Sequence, residues 1–160
     1  MEKLASPVWR APVGAAANAQ RELPRLVSGY FRAGREFLAA QPSPAELHAL
    51  RLATKRLRYT LELFRRCYGR ALDRYLAGLH DVQQALGELN DCVATRNLLA
   101  REMPPSPLHE RIERFLSGLE AGRSRQFRRL WTERFDAPGR EKAWCGYLAR
   151  RARSRGEGKS

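Results

Sequence analysis

Residues 47–64, LHALRLATKRLRYTLELF, carry two different faces at helical spacing. The start of a helix is marked just before them. Ser43 can cap, Pro44 suits a first-turn position, and Glu46 stands three residues after Ser43, the spacing of a capping box. At about 100° per residue, Leu50, Ala53, Leu57, Leu61 and Phe64 fall within an arc of roughly 80°, which reads as a core stripe. His48, Arg51, Lys55 and Arg58 fall within a second arc of roughly 80° on the other side. One helix thus buries one face and offers an imidazole, two guanidiniums and an ammonium in a row on another. No carboxylate interrupts that row before Glu62. Four donors in line suit a linear polyanion better than a single small anion.

The rest of the chain reads as more helix. Residues 1–14 hold Pro7 and Pro12 and no sustained period, and read as a flexible arm with Trp9 available to dock. A first helix is expected within 15–40, with Pro24 either kinking it or marking its start. Its apolar face is Leu23, Val27, Tyr30, Phe37 and Leu38. Arg21, Arg25, Arg32 and Arg35 share an arc of roughly 80° with no acid inside it. The second helix is expected to end near Gly69, a plausible C-cap. A third is expected over 71–102, with Leu79, Val82, Leu86, Leu89 and Val93 as its stripe. Gly87 within it suggests a close helix–helix approach. After the break at 103–107, Ser106 and Pro107 start a fourth helix, expected to reach about 135. There Ile112, Phe115, Leu116, Leu119, Phe127 and Leu130 are expected to face inward. Arg111, Arg114, Arg125, Arg128 and Arg129 share an opposite arc of about 100°. A short helix over 142–151 would bury Trp144 and Leu148. The tail, 150–160, is basic and Gly-containing and reads as disordered. Four long helices with short Pro-rich connections make an all-α, up-and-down four-helix bundle over 15–149 the expected architecture.

Charge sharpens the functional side. There are 30 basic and 17 acidic residues, a net +13 with neutral histidines. Such an excess is matched by anionic partners: nucleic acid, an acidic membrane surface or polyphosphate. Arg, which outnumbers Lys here, forks onto phosphate oxygens. Three cysteines without a CxxC pair suggest neither a disulfide framework nor a zinc site, and fit a reduced, cytoplasmic setting. No run of 18 apolar residues suggests a spanning helix.

The stretch HALRLATKRLRY, followed by LHDVQQALGELND at 79–91, resembles the second half of a CHAD domain, the conserved-histidine α-helical domain. The likeness is close over 47–99. That family is all-helical, with two four-helix halves related by pseudo-symmetry, and binds inorganic polyphosphate in a basic cavity. The resemblance implies the same ligand here, with His48, Arg51, Lys55 and Arg58 as its central contacts. Arg25, Arg32 and Arg35 of the first helix and Arg125 and Arg128 of the fourth join them as further walls of a groove. Asn90 and Asp91 would brace cations across the bundle. Only one His-led basic helix is legible, so the chain resembles one half of that domain, and two copies could pair to rebuild a two-half cavity. The resemblance also implies an association with polyphosphate or storage granules.

Other readings differ in what they need. A general RNA- or DNA-binding bundle explains +13 equally well, but single-strand stacking wants aromatics interleaved with the basic residues. A metal-chelating or phosphohistidine module centred on His48 lacks second ligands and a nucleotide site. No Gly-rich phosphate loop, nucleophile elbow or HExxH motif appears. No catalytic residue, cofactor or metal is therefore expected.

Overall fold

The computed structural model describes residues 7–11 and 13–151, and among them the chain is helical with no strand. Five helices of twelve residues or more follow one another: α1 (Ala15–Ala39), α2 (Pro44–Leu63), α3 (Asp73–Glu102), α4 (Pro107–Leu130) and α5 (Arg140–Arg151). A helical turn (Arg65–Tyr68) and a tighter one (Gly69–Leu72) join α2 to α3. A wider turn, Trp131–Phe135, continues α4. None of the helices is long and apolar enough to cross a membrane. The tail expected to be disordered over 150–160 does not begin at 150, because α5 runs on through Arg150 and Arg151. The rest of that reading, 152–160, and residues 1–6 and 12 of the expected arm lie outside the described residues.

Local chemistry sets the boundaries. Ser43 Oγ accepts the Glu46 N–H at 3.3 Å while the Glu46 carboxylate accepts the Ser43 N–H at 2.8 Å, a complete capping box. Such a cap is worth about 1 kcal/mol. At α4 the Ser106 hydroxyl accepts the His109 N–H at 3.1 Å, and Pro107 follows at the first position. Gly69 ends the segment after α2 with φ +69°, a conformation that glycine adopts without strain. Pro24 does not mark the start of α1, which runs through it from Ala15, so Arg21 belongs to the helix. The arm is not loose throughout. Val8 N–H donates to Glu22, Arg21 donates to the Val8 carbonyl, and Asn18 holds Arg10 and Val13, while Trp9 rests against Phe64 with ring centres 5.3 Å apart.

Neighbouring helices run antiparallel. Leu47 lines one cavity with Leu89 and Val93 while Arg58 meets Gln83, so α2 and α3 oppose each other. Arg96 reaches Glu113 and Glu120 while Glu88 reaches Arg123, so α3 and α4 do likewise. The helices pair in series, α1 with α2, α2 with α3 and α3 with α4. In place of the expected four-helix bundle there are five helices among the described residues, the fifth, α5, lying back along α1. Glu141 takes the Ser28 hydroxyl, and the Cys145 thiol donates to the Pro24 carbonyl. As expected, α5 buries Trp144 and Leu148.

The core sits between these helices and is rich in aromatic rings. Trp131 lies against Tyr30, Phe31, Phe127 and Phe135, and Phe135 stacks on Phe31 at 4.9 Å. Each such ring buries roughly 150–250 Å². Thr54, fully buried, donates to the Leu50 carbonyl and pairs with the Tyr30 hydroxyl at 2.7 Å, so neither hydroxyl is stranded. The stripes predicted on α2 and α3 are buried except for their ends, Phe64 and Val93, which are half-buried. Two expectations fail. Phe115 is 69% exposed and Leu119 38%, on a helix whose main neighbour is α3. Gly87 has open space where a Cβ would sit; the tight approach is at Gly34 instead.

Candidate polyanion-binding face

The row on α2 survives folding as a unit. His48 and Lys55 are exposed, and Arg51 and Arg58 are half-buried. At 1.5 Å per residue the four span about 15 Å along one rigid helix. Arg58 is held at both ends: its Nε donates to Gln83 Oε1 at 2.8 Å, and its Nη1 pairs with Glu62 at 2.6 Å. Tyr59 lies against the row, its ring centre 4.7 Å from the Arg58 guanidinium carbon and 5.7 Å from the Lys55 ammonium. Its face orients two cations. His48, Arg51 and Lys55 make no hydrogen bond or ion pair to another side chain among the described residues. Glu62 neutralises only the Arg58 end.

The opposing wall is α3. Gln83, Gly87 and Asn90 follow at i, i+4 and i+7 and share one helix face. Gln83 meets Arg58, so the antiparallel register sets Gly87 and Asn90 alongside the cations nearer the start of α2. A Cβ at Gly87 would meet no neighbour within 4 Å, so this face of α3 is open at that position. This wall is neutral and hydrogen-bonding, with amides in place of carboxylates.

The other predicted contacts are distributed differently. Arg35 grips Asp136 with two hydrogen bonds, Nε at 2.7 Å and Nη2 at 2.6 Å, and its Nη1 pairs with Glu141 at 2.7 Å. These carboxylates hold its guanidinium well above the usual range of an arginine. Its charge is taken up in joining α1 to α5, so the acid-free arc expected on α1 is not acid-free in space. Arg21 pairs with Glu22 at 2.6 Å, and Arg32 lies 4.0 Å from Glu36. Arg25 is exposed on the same helix. Arg128 donates to the Leu38 carbonyl at 2.7 Å, tying α4 to the last turn of α1, where a cation also meets the negative end of the helix dipole. Arg125 is exposed on α4. The structure thus brings His48, Arg51, Lys55 and Arg58 together and leaves the α1 and α4 arginines on other elements.

Asp91 does not brace a cation. It is exposed and forms no ion pair among the described residues; its backbone carbonyl accepts the Thr95 hydroxyl. Bracing falls instead to acids not singled out in the sequence. Glu113 and Glu120 both hold Arg96 at 2.6 Å, beside a cavity of about 540 Å³ between the end of α1, α3 and α4. The Glu113 carboxyl is held below its ordinary range, chiefly by Arg96. Gln83 was also missed. Its signal was available, since it opens the i, i+4, i+7 face that ends at Asn90.

The family model of the CHAD domain matches residues 1–100, more than half of the chain, and the protein belongs to the CHAD domain family. The matched stretch takes in α1, α2 and nearly all of α3. Comparison with curated proteins and with solved structures finds no match. The family is linked in general to binding of polyphosphate.

Proposed function

We propose that this protein binds inorganic polyphosphate, without catalysis, along the face of α2 that carries His48, Arg51, Lys55 and Arg58. One observation carries the reading: His48, Arg51 and Lys55 meet no carboxylate among the described residues, and they share one rigid helix with Arg58, whose partner on α3 is the neutral amide of Gln83. A linear phosphate chain can meet several of them at once, each contact a charge-assisted hydrogen bond. Gln83 and Asn90 add neutral donors on the other side. Arg25 and Arg32 are second-rank contacts, and Arg35 is withdrawn because Asp136 and Glu141 occupy it. A single basic face left open would let a long chain bridge two copies, which is how a homodimer would form. Enrichment at polyphosphate-containing granules would follow from the same binding.

The rival reading, nucleic-acid binding, is favoured by one feature: Tyr59 is 45% exposed beside the row. Base stacking on such a ring is worth about 1–3 kcal/mol. Two cations already lie over this ring, which supports a positioning role. Direct competition at physiological salt tests the two. Long-chain polyphosphate is expected to displace RNA and DNA of matched charge, and Tyr59→Leu is expected to change polyphosphate affinity less than threefold. Nucleic acid that competes equally, with affinity lost in Tyr59→Leu, would reverse the assignment.

A further inference from the structure

The turn between α2 and α3 builds a second basic feature that the α2 row does not include. Arg66, Arg70 and Arg74 line one cleft of about 520 Å³ with Cys67, Tyr68, Gly69, Ala71 and Tyr147. No carboxylate lines it. Asp73, the acid nearest in sequence to Arg70 and Arg74, is engaged by Arg65 at 2.9 Å. Arg66 and Arg70 are exposed and have no hydrogen-bond or ion-pair partner among the described residues. Three arginines line one cleft with no acid among them, and an anion seated there would relieve the repulsion between their charges.

The cleft is held rigidly from behind. The Tyr68 hydroxyl donates to the Leu148 carbonyl at 2.7 Å, and the Tyr147 hydroxyl donates to the Tyr68 carbonyl at 3.1 Å, so α5 clamps the turn. Tyr75 stacks on Tyr147 at 4.8 Å. Arg74 lies against both rings, 4.8 and 5.9 Å from their centres, and donates to the Tyr75 hydroxyl at 2.9 Å. One of the three arginines is therefore already oriented, and ordering it on binding costs little. Gly69, with φ +69°, lets the chain reverse between Arg66 and Arg70 so that both flank the cleft.

We propose that this cleft is a separate site for a compact anion with two or more linked phosphoryl groups. Several guanidinium forks can each take a pair of phosphate oxygens, and a diphosphate presents enough oxygens for more than one fork. An extended chain instead needs a linear row, which α2 supplies. The diphosphate could be free or the tail of a nucleotide; the tyrosines behind the cleft are already stacked on one another or hydrogen-bonded, which favours the phosphates as the recognised part.

Titration calorimetry on the full chain, with inorganic pyrophosphate and ADP as probes, tests this. Pyrophosphate is expected to bind in the wild type, weaken at least tenfold in Arg66→Gln/Arg70→Gln, and bind unchanged in Arg51→Ala/Lys55→Ala. ADP binding as tightly as pyrophosphate, with the same loss, assigns recognition to the diphosphate; tighter ADP binding, lost in the same variant, makes a nucleotide the source. Both support the site. The proposal is overturned if neither probe binds at physiological salt, if the Arg66/Arg70 variant binds normally, or if the Arg51/Lys55 variant loses pyrophosphate. Circular dichroism shows whether both variants keep their helicity. Long-chain polyphosphate binding by the Arg66/Arg70 variant, measured alongside, reports on the α2 row alone.

Discussion

A Cβ built on Gly34 would overlap Cζ2 and Cη2 of Trp131. The indole, only 1% exposed, occupies the space over Gly34 and fixes how the end of α4 meets α1. The indole is hemmed in by Tyr30, Phe31, Phe127 and Phe135 and has no room to swing away. Gly34→Ala is therefore expected to destabilise the protein by about 3 kcal/mol, at the upper end of overpacking costs, despite the better helix propensity of alanine. In a double-mutant cycle by urea denaturation, Trp131→Phe is expected to recover part of that loss, with coupling of at least about 1 kcal/mol. Additive effects would mean that the two residues do not meet as described.

Much of the helix pattern was legible because it rests on local chemistry. The capping box at Ser43, the Ser106–Pro107 start and the stripe Leu50, Ala53, Leu57 and Leu61 all depend on residues within a turn or two. What escaped depends on distant chain. The acids that take Arg35 lie 101 and 106 positions away, beyond the reach of any arc drawn on one helix. Gly34 and Gly87 look alike in sequence; only the arrival of Trp131 distinguishes them. Leu108, Phe115 and Leu119 have core periodicity on α4 yet are exposed, since a helical repeat names a face without guaranteeing a neighbour for it. On the candidate face, the cations were readable at i, i+3, i+7 and i+10, whereas their opposing wall needed the register that Arg58 and Gln83 define.

The Arg96 cluster gives the fold an acid-sensitive joint. Arg96 donates to Glu113 through Nε and Nη2 and to Glu120 through Nη1, linking α3 to α4. Glu113 is held below the ordinary value of 4.5, chiefly by Arg96. A carboxyl whose folded value is depressed contributes stability that is full above the unfolded value and lost as pH falls through the folded one. The penalty of Arg96→Gln is thus expected to be largest at pH 7 and to shrink once pH drops below about 4.5. Denaturation midpoints of both proteins at pH 7, 5 and 3 check this; a gap that stays constant to pH 3 contradicts it.

Arg35 separates structure from binding. Its guanidinium joins α1 to Asp136, which also receives the Trp131 indole N–H at 3.3 Å, and to Glu141 on α5. The side chain is half-exposed, which limits its worth, but its removal leaves the Asp136 carboxylate, 11% exposed, without its main partner. Arg35→Ala is expected to cost about 1–2 kcal/mol of stability while leaving polyphosphate affinity within twofold of the parent. Urea melts and a fluorescence binding titration on the same variant read the two effects. A large loss of affinity without a loss of stability would return Arg35 to the binding face.

The last prediction sets the α2 row against the basic end of the chain. Residues 152–160 carry Arg153, Arg155 and Lys159 against Glu157, charge enough to attract any polyanion. The row carries its cations on a helix packed through Leu50, Ala53, Leu57 and Leu61, so less side-chain ordering has to accompany binding. Deleting 152–160 is expected to weaken polyphosphate binding about threefold, whereas Arg51→Ala with Lys55→Ala weakens it by at least about thirtyfold, or roughly 2 kcal/mol. Each phosphate that is no longer neutralised should also lower the log–log salt slope by roughly 0.7, the value for a single-stranded polyanion. The double variant should keep its helicity, because both side chains lie off the buried stripe and alanine is the best helix former. The opposite pattern, a truncated chain that no longer binds beside a folded Arg51/Lys55 variant that binds normally, would move the function from the helix to the tail.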